Sequence, residues 1–155
     1  MDNSHDLVLQ GGRLIDPRNN IDARNDLAIK DGRIAAVGPD LDTTGATVVD
    51  VTGLCVTPGL LDIHMHAYGG FNAWLFPDPH SLNCGVTTVV DTGSAGYRDF
   101  EDFKRTIIDG STTRVLAFLN IVGDGMTGPA EQDTTNMNPG LCAEAILQYR
   151  EYLVG

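Results

Sequence analysis

The chain has 155 residues, enough to bury a core in one domain or two small ones; 42% are hydrophobic and 18 are glycine, as in a loop-rich globular protein. With 10 basic residues against 21 acidic ones the formal charge is −11, so no basic stripe exists to neutralise phosphates, and nucleic acid and anionic membrane are excluded as expected partners. Cys55, Cys84 and Cys142 are odd in number and form no C-x-x-C pair, which argues against a disulfide framework and for a reducing, cytoplasmic setting.

The first residues, Met1 to Asp6, show neither the basic nor the apolar part of a signal peptide, and no apolar run approaches the ~18 residues of a membrane span. His5 lies in this polar start, which reads as disordered. From residue 6 to 56 short alternating runs are divided by turn signals. Leu7 to Gln10 is one strand, broken by Gly11-Gly12 before Arg13-Leu14-Ile15, and Asp16 to Asn20 reads as a loop. Leu27 to Lys30 and Arg33 to Val37 flank Asp31-Gly32, a hairpin signal, because a type I′ turn needs positive φ at both central positions. Thr47 to Val51 and Leu54 to Val56 complete a small all-β unit with thin apolar content and no catalytic cluster.

At Thr57-Pro58-Gly59 the pattern changes to strands alternating with helices, the signature of βα units and a parallel sheet. Leu60 to His66 is the first strand, and Val86 to Asp91, β-branched and nearly continuous, is the second. A helix is expected from about Arg98 to Ile108 with Phe100, Phe103, Ile107 and Ile108 as its apolar stripe, then a third strand from Arg114 to Ile121. Residues 123 to 140 read as a flexible loop over the mouth of the sheet, and Leu141 to Leu153 as a helix. Val154-Gly155 stands where a fourth strand would begin. Between the first two strands Phe71 to Phe76 and Pro77-Asp78-Pro79 read as a long loop, with one helical turn from His80 to Cys84.

The first strand ends in His64-Met65-His66. Alternation along a strand puts Asp62, His64 and His66 on one face and Ile63 and Met65 on the other. Two imidazoles at i and i+2 can reach one metal, usually Zn²⁺, and Asp62 could orient them. Catalytic groups of parallel-strand barrels sit at the C-terminal strand ends, and Asp91 ends the second strand; it is either a polar group supporting the site or a turn-forming residue. His80, between Pro79 and Ser81, reads as a loop or helix-start residue rather than a metal ligand. Gly123 to Gly128 matches G-x-G-x-x-G, but Pro129 and further turn-prone residues follow where a dinucleotide site needs a helix to open. No G-x-S-x-G nucleophile elbow is present.

Pro58-Gly59-Leu60-Leu61-Asp62-Ile63-His64-Met65-His66, following a β unit and followed by Gly85 to Gly96 (GVTTVVDTGSAG) and Arg114 to Ile121 (RVLAFLNI), resembles the amidohydrolase superfamily over essentially the whole chain, in its deacetylase-like and dihydroorotase-like branch. The resemblance implies an α/β fold: residues 1–57 as the N-terminal strands of a small β-sandwich domain, and residues 58–155 as the first three βα units of a (β/α)₈ TIM barrel of ~250 residues. It implies a metal-dependent hydrolase in which two Zn²⁺ activate water against an amide or ester carbonyl of a small molecule, His64 and His66 binding the more buried metal. Such a site also needs a bridging lysine, two further histidines and an aspartate base. Lys30 and Lys104, the two lysines of the chain, lie in the hairpin and on a helix. No catalytic residue is therefore assigned, and the chain reads as an N-terminal portion with one partial zinc site. Either the missing C-terminal half or a second copy is its expected protein partner; the competing reading is a truncated or split product without activity. Tyr68 stands where dihydroorotase has a substrate-binding arginine. That favours a deacetylase-like pocket, with Tyr68 in its lining, over a cyclic amidohydrolase.

Overall fold

The structure, a computed structural model, describes residues 4–69 and 75–155. The loop expected between the first two parallel strands lies outside the described residues from Gly70 to Trp74. The chain divides into two compact units, Met1–Pro58 and Gly59–Gly155.

The first unit is a mixed five-stranded sheet. Strands β1 (Leu7–Asp16), β2 (Ile21–Lys30) and β3 (Arg33–Gly38) pair antiparallel in sequence, while β4 (Thr47–Asp50) and β5 (Cys55–Val56) both join β1 in parallel. The hairpin at Asp31-Gly32 forms as its residues require: both have positive φ, 51° and 69°, and Lys30 pairs with Arg33. Gly11-Gly12 does not end a strand. β1 runs through it with a register shift between Leu9 and Gly12, and Gly11, at φ 81°, gives its N–H to the buried Asp26 carboxylate at 2.8 Å. The pair therefore bulges the strand instead of breaking it. Asp16 to Asn20 is a tight turn, Pro17–Asn19, whose N–H groups are capped by the Asp16 side chain. Val8, Leu14, Leu27 and Ala28 are buried, and next to them an apolar groove of about 580 Å³ is lined by Ile21, Ile34, Val37 and Val56. His5 is placed against this unit and is half-buried, so its polar surroundings in the sequence misled.

The second unit is a three-stranded parallel sheet, β6 (Leu60–Met65), β7 (Val86–Gly96) and β8 (Arg114–Asn120), in sequence order. A short helix α1 (Pro77–Ser81) lies between β6 and β7. Helix α2 (Phe100–Phe103) continues as a wider π-turn, Lys104–Ile108, and connects β7 to β8. The wide turn is closed where Asp109 N–H reaches Lys104 C=O, five residues back, at 2.9 Å, and the Lys104 ammonium binds the Asp109 carboxylate at 2.8 Å. Phe100 and Phe103 are fully buried between this helix and the sheet with Val89, Val115 and Ala117, each ring contributing about 1.5–3 kcal/mol of apolar burial.

Helix α3 spans Pro139–Gln148, not Leu141 to Leu153. Asn138 caps it by accepting the Leu141 N–H at 3.0 Å, and Pro139 occupies the first turn, where a missing donor costs nothing. After the turn at Tyr149, Leu153 pairs in parallel with Ala117, and Leu119 N–H reaches Gly155 C=O at 2.8 Å. The last residues thus lie beside β8 as the next parallel strand of the series. The sheet and its crossovers are those of the first part of a TIM barrel. Among the described residues no helix is long and apolar enough to cross a membrane.

Candidate functional site

The C-terminal ends of β6, β7 and β8 bring the candidate residues together. β6 is irregular there: between its Asp62–Val89 and Met65–Asp91 pairs it carries one residue more than β7. Strict alternation therefore fails. Met65 is 3% exposed in the core while Ile63 is 70% exposed, so the two do not share a face as the alternation predicts. The bulge still leaves His64 and His66 adjacent, ring centroids 5.5 Å apart and nearly perpendicular at 84°.

His66 is half-buried, and its Nδ1 lies 3.0 Å from Ser94 Oγ, which leaves Nε2 for another partner. His64 is more exposed, and its backbone N–H donates to Asp62 Oδ1 at 3.0 Å. Asp62 thus reaches His64 through the main chain, as a local turn, and not through the ring.

Asp91 has no exposed surface and takes three backbone donors: Ala67 N–H at 2.7 Å and Tyr68 N–H at 3.4 Å on Oδ2, and Ser94 N–H at 2.7 Å on Oδ1. Asp91 lies within β7, which runs on to Gly96, and not at the strand's end as expected; its carboxylate pins both Ser94 and the segment after His66. Thr92 Oγ1 adds a bond to Met65 C=O at 3.4 Å.

Tyr68 packs on Phe103, with centroids 5.1 Å apart, and its hydroxyl donates to Asp102 at 2.9 Å. Burial, and then that bond, hold its phenol well above the ordinary tyrosine range. Asp102 also binds the Arg105 guanidinium. Nearby, burial pushes the Asp99 carboxyl up to about 6, although its bond to Gly96 N–H acts the other way. His80 is exposed in the last turn of α1, with its Nδ1 2.8 Å from Phe76 C=O; the helix begins at Pro77, so His80 does not start it as expected.

The start of the loop after β8 is bonded to β7 and the segment that follows it. Met126 N–H reaches Ser94 C=O at 3.0 Å, Arg98 N–H reaches Gly123 C=O at 3.0 Å, and Arg98 pairs with Asp124 at 3.0 Å. A Cβ on Gly125 would stand 2.2 Å from Ser94 C=O; the glycines of this G-x-G-x-x-G thus let the loop close on β7, where a dinucleotide motif would open a helix.

Two residues to which the sequence assigned no role stand at these strand ends. Ser94 is the partner of His66, and Asn120, at the end of β8, donates to Gly93 C=O at 3.1 Å and accepts Val122 N–H at 3.0 Å. Ser94 falls three residues past the expected end of the second strand, whereas Asn120 lies inside the expected third strand, where no pattern singles it out.

The spacing of the two rings is compatible with one shared metal ion. A ring whose nitrogen is 2.0–2.1 Å from zinc has its centroid roughly 3 Å from the ion, so centroids 5.5 Å apart lie within the span of one ion. Among the described residues no three His, Cys, Asp or Glu side chains converge as a ligand group. Two imidazoles are fewer donors than the four of a closed zinc site.

No protein-family model matches the chain. A deacetylase of Agrobacterium fabrum is 35% identical over 131 residues, which are 81% of this chain and 32% of that protein. A dihydroorotase of Solibacter usitatus is 48% identical over 60 residues, 39% of this chain and 14% of that protein. The crystal structure of a dihydroorotase superposes with a TM-score of 0.80 at 30% identity, over 96% of this chain and 41% of that one. A D-aminoacylase with a binuclear metal centre shares the fold at 24% identity and a TM-score of 0.55, over 74% of this chain and 29% of its own. The chain spans about a third of the length of the deacetylase it matches. By its sequence over most of its length, and by a fold that is the N-terminal part of the barrel, the chain belongs to the amidohydrolase superfamily, alongside longer deacetylases and dihydroorotases.

Proposed function

We propose that the chain is the metal-binding N-terminal portion of a metal-dependent hydrolase that cleaves an amide or ester bond of a small molecule, of the deacetylase kind. The observation that supports this best is the pair of imidazoles 5.5 Å apart at the end of the first parallel strand, one of them tethered through Nδ1. On this reading residues 1–57 are the first strands of a small sandwich domain and residues 58–155 the first three βα units.

His64 and His66 would hold the metal, zinc by the chemistry of the donors. When bound, zinc supplies Lewis acidity toward a carbonyl and acidifies water near neutral pH. Asp91 holds the backbone after His66 in place, and Asp62 shapes the turn at His64. Among the described residues no lysine stands at this point, as Lys30 and Lys104 are bound elsewhere, to Ser4 C=O and Asp109. Turnover therefore requires residues from outside it.

A dihydroorotase-like reading draws on the 48% identity to the Solibacter protein. Tyr68 counts against it. Where that chemistry calls for a cation, this chain has a phenol bonded to a carboxylate, and the guanidinium at that carboxylate is bonded to it as well.

The test is zinc binding by calorimetry and elemental analysis. The chain should take up zinc, and His64→Ala/His66→Ala should lose it. Zinc content unchanged in the double variant would move the metal elsewhere and end this reading. The chain alone should show no turnover of an acetyl ester with added zinc; turnover lost in His64→Ala would instead show that it is complete.

A further inference from the structure

We infer that Ser94 is a positioning residue for His66, selecting the ring tautomer that exposes Nε2 to a metal, and that Asp91 holds Ser94 in register for that role. The inference rests on the metal reading above and adds to it a residue outside the ligand pair.

Ser94 is 5% exposed, and its Oγ is 3.0 Å from His66 Nδ1. A neutral imidazole carries one proton. If Nδ1 holds it, Ser94 Oγ accepts, and the Nε2 lone pair is free to bind a cation. If Nε2 holds it, Ser94 donates to Nδ1, and no lone pair is left for a metal at either nitrogen. A polar partner at the second ring nitrogen commonly fixes orientation and tautomer of metal-binding histidines.

Ser94 has little freedom to move away. Its N–H is bound at 2.7 Å to Asp91 Oδ1, and its C=O accepts Met126 N–H at 3.0 Å from the loop after β8. The other oxygen of Asp91 binds Ala67 N–H at 2.7 Å, one residue past His66. One buried carboxylate thus sets both ends of the His66–Ser94 contact, from segments 28 residues apart.

The experiment pairs nitrogen-15 NMR of the His66 ring in metal-free chain with zinc titration calorimetry, on wild type, Ser94→Ala and Ser94→Thr. In wild type the ring should be the Nδ1–H tautomer. Ser94→Ala should shift it toward Nε2–H, the form an untethered imidazole in water favours, and weaken zinc binding about 10–100-fold. Ser94→Thr, which keeps the hydroxyl, should restore both. A thermal midpoint of Ser94→Ala near that of wild type shows that the fold is intact; if it falls, the tautomer of Ser94→Thr in folded chain decides. An Nε2–H ring in wild type, or a Ser94→Ala ring and zinc affinity identical to wild type, overturns the role of Ser94. A wild-type Nδ1–H ring that depends on Ser94 in a chain that takes up no zinc would uphold the positioning and defeat the metal reading alone.

Discussion

Asp91 Oδ2 accepts the N–H of Ala67 at 2.7 Å, joining the middle of β7 to the residue just past His66. With Tyr68 N–H and Ser94 N–H on the same fully buried carboxylate, three donors depend on one side chain. Losing it would strand them away from water, at about 1–3 kcal/mol for each group left unpaired, less what local rearrangement recovers. Asp91→Ala should therefore cost about 3–5 kcal/mol in urea unfolding, and Asp91→Asn, which keeps one carbonyl oxygen, about half as much. A loss below about 0.5 kcal/mol for Asp91→Ala would mean that the carboxylate does not organise this end of the sheet.

How far such features can be read in advance depends on the distance over which they are set. The hairpin at Asp31-Gly32 is local, since two residues with positive φ suffice, and it could be read directly. So could the change to parallel strands at Pro58-Gly59 and the two histidines at the end of β6. The polar half of β2, Ile21 to Asp26, shows no apolar alternation; its place is held by ladder bonds to β1 and by polar side chains that reach across, Asp22 to Arg13 and Asp26 to Gly11 N–H. The bulge in β6 depends on how β7 pairs beside it. The Ser94–His66 contact joins residues 28 apart, and no spacing rule reports a meeting that the fold alone produces.

Asp99 carries a pH dependence of defined sign. Burial raises its carboxyl from the ordinary 3.8 to about 6. Between about pH 4 and 6 the folded chain therefore holds this proton more firmly than the unfolded one, and stability falls as pH rises through that window; above 6 the loss is complete. The group is only about half buried, so the effect is discounted to about 1 kcal/mol. Asp99→Asn, whose carbonyl can still accept Gly96 N–H, should gain about that much over wild type at pH 7.5 and nothing at pH 4. Paired urea melts at the two pH values check it; a gain of equal size at both would rule out Asp99 ionisation as the cause.

Tyr68 and Tyr149 should ionise later than an ordinary phenol. Burial and then the bond to Asp102 raise Tyr68, while the bond to Glu101 and then burial raise Tyr149. Near-ultraviolet absorbance followed into alkali should show two phenols ionising late, and Tyr68→Phe should remove one of them. The lost hydroxyl bond should cost about 1 kcal/mol, and much less in an Asp102→Ala background, where its acceptor is already gone. Equal costs in the two backgrounds would show that the Tyr68–Asp102 contact contributes nothing.

Gly59 and Thr87 explain why a glycine precedes the strand that carries the histidines. A Cβ on Gly59 would lie 2.0 Å from Thr87 Oγ1, 2.6 Å from its Cγ2 and 2.8 Å from its Cβ. All three atoms belong to one side chain, so the clash can be relieved from the other partner. Gly59→Ala should destabilise the second unit by about 1–3 kcal/mol through overpacking. Thr87→Ala deletes the two nearest atoms and leaves the third, so the double variant should be more stable than the sum of the two single losses, by about half the Gly59→Ala cost. Strictly additive losses would place the strain of Gly59→Ala in the backbone, and the close approach to Thr87 would no longer account for the glycine.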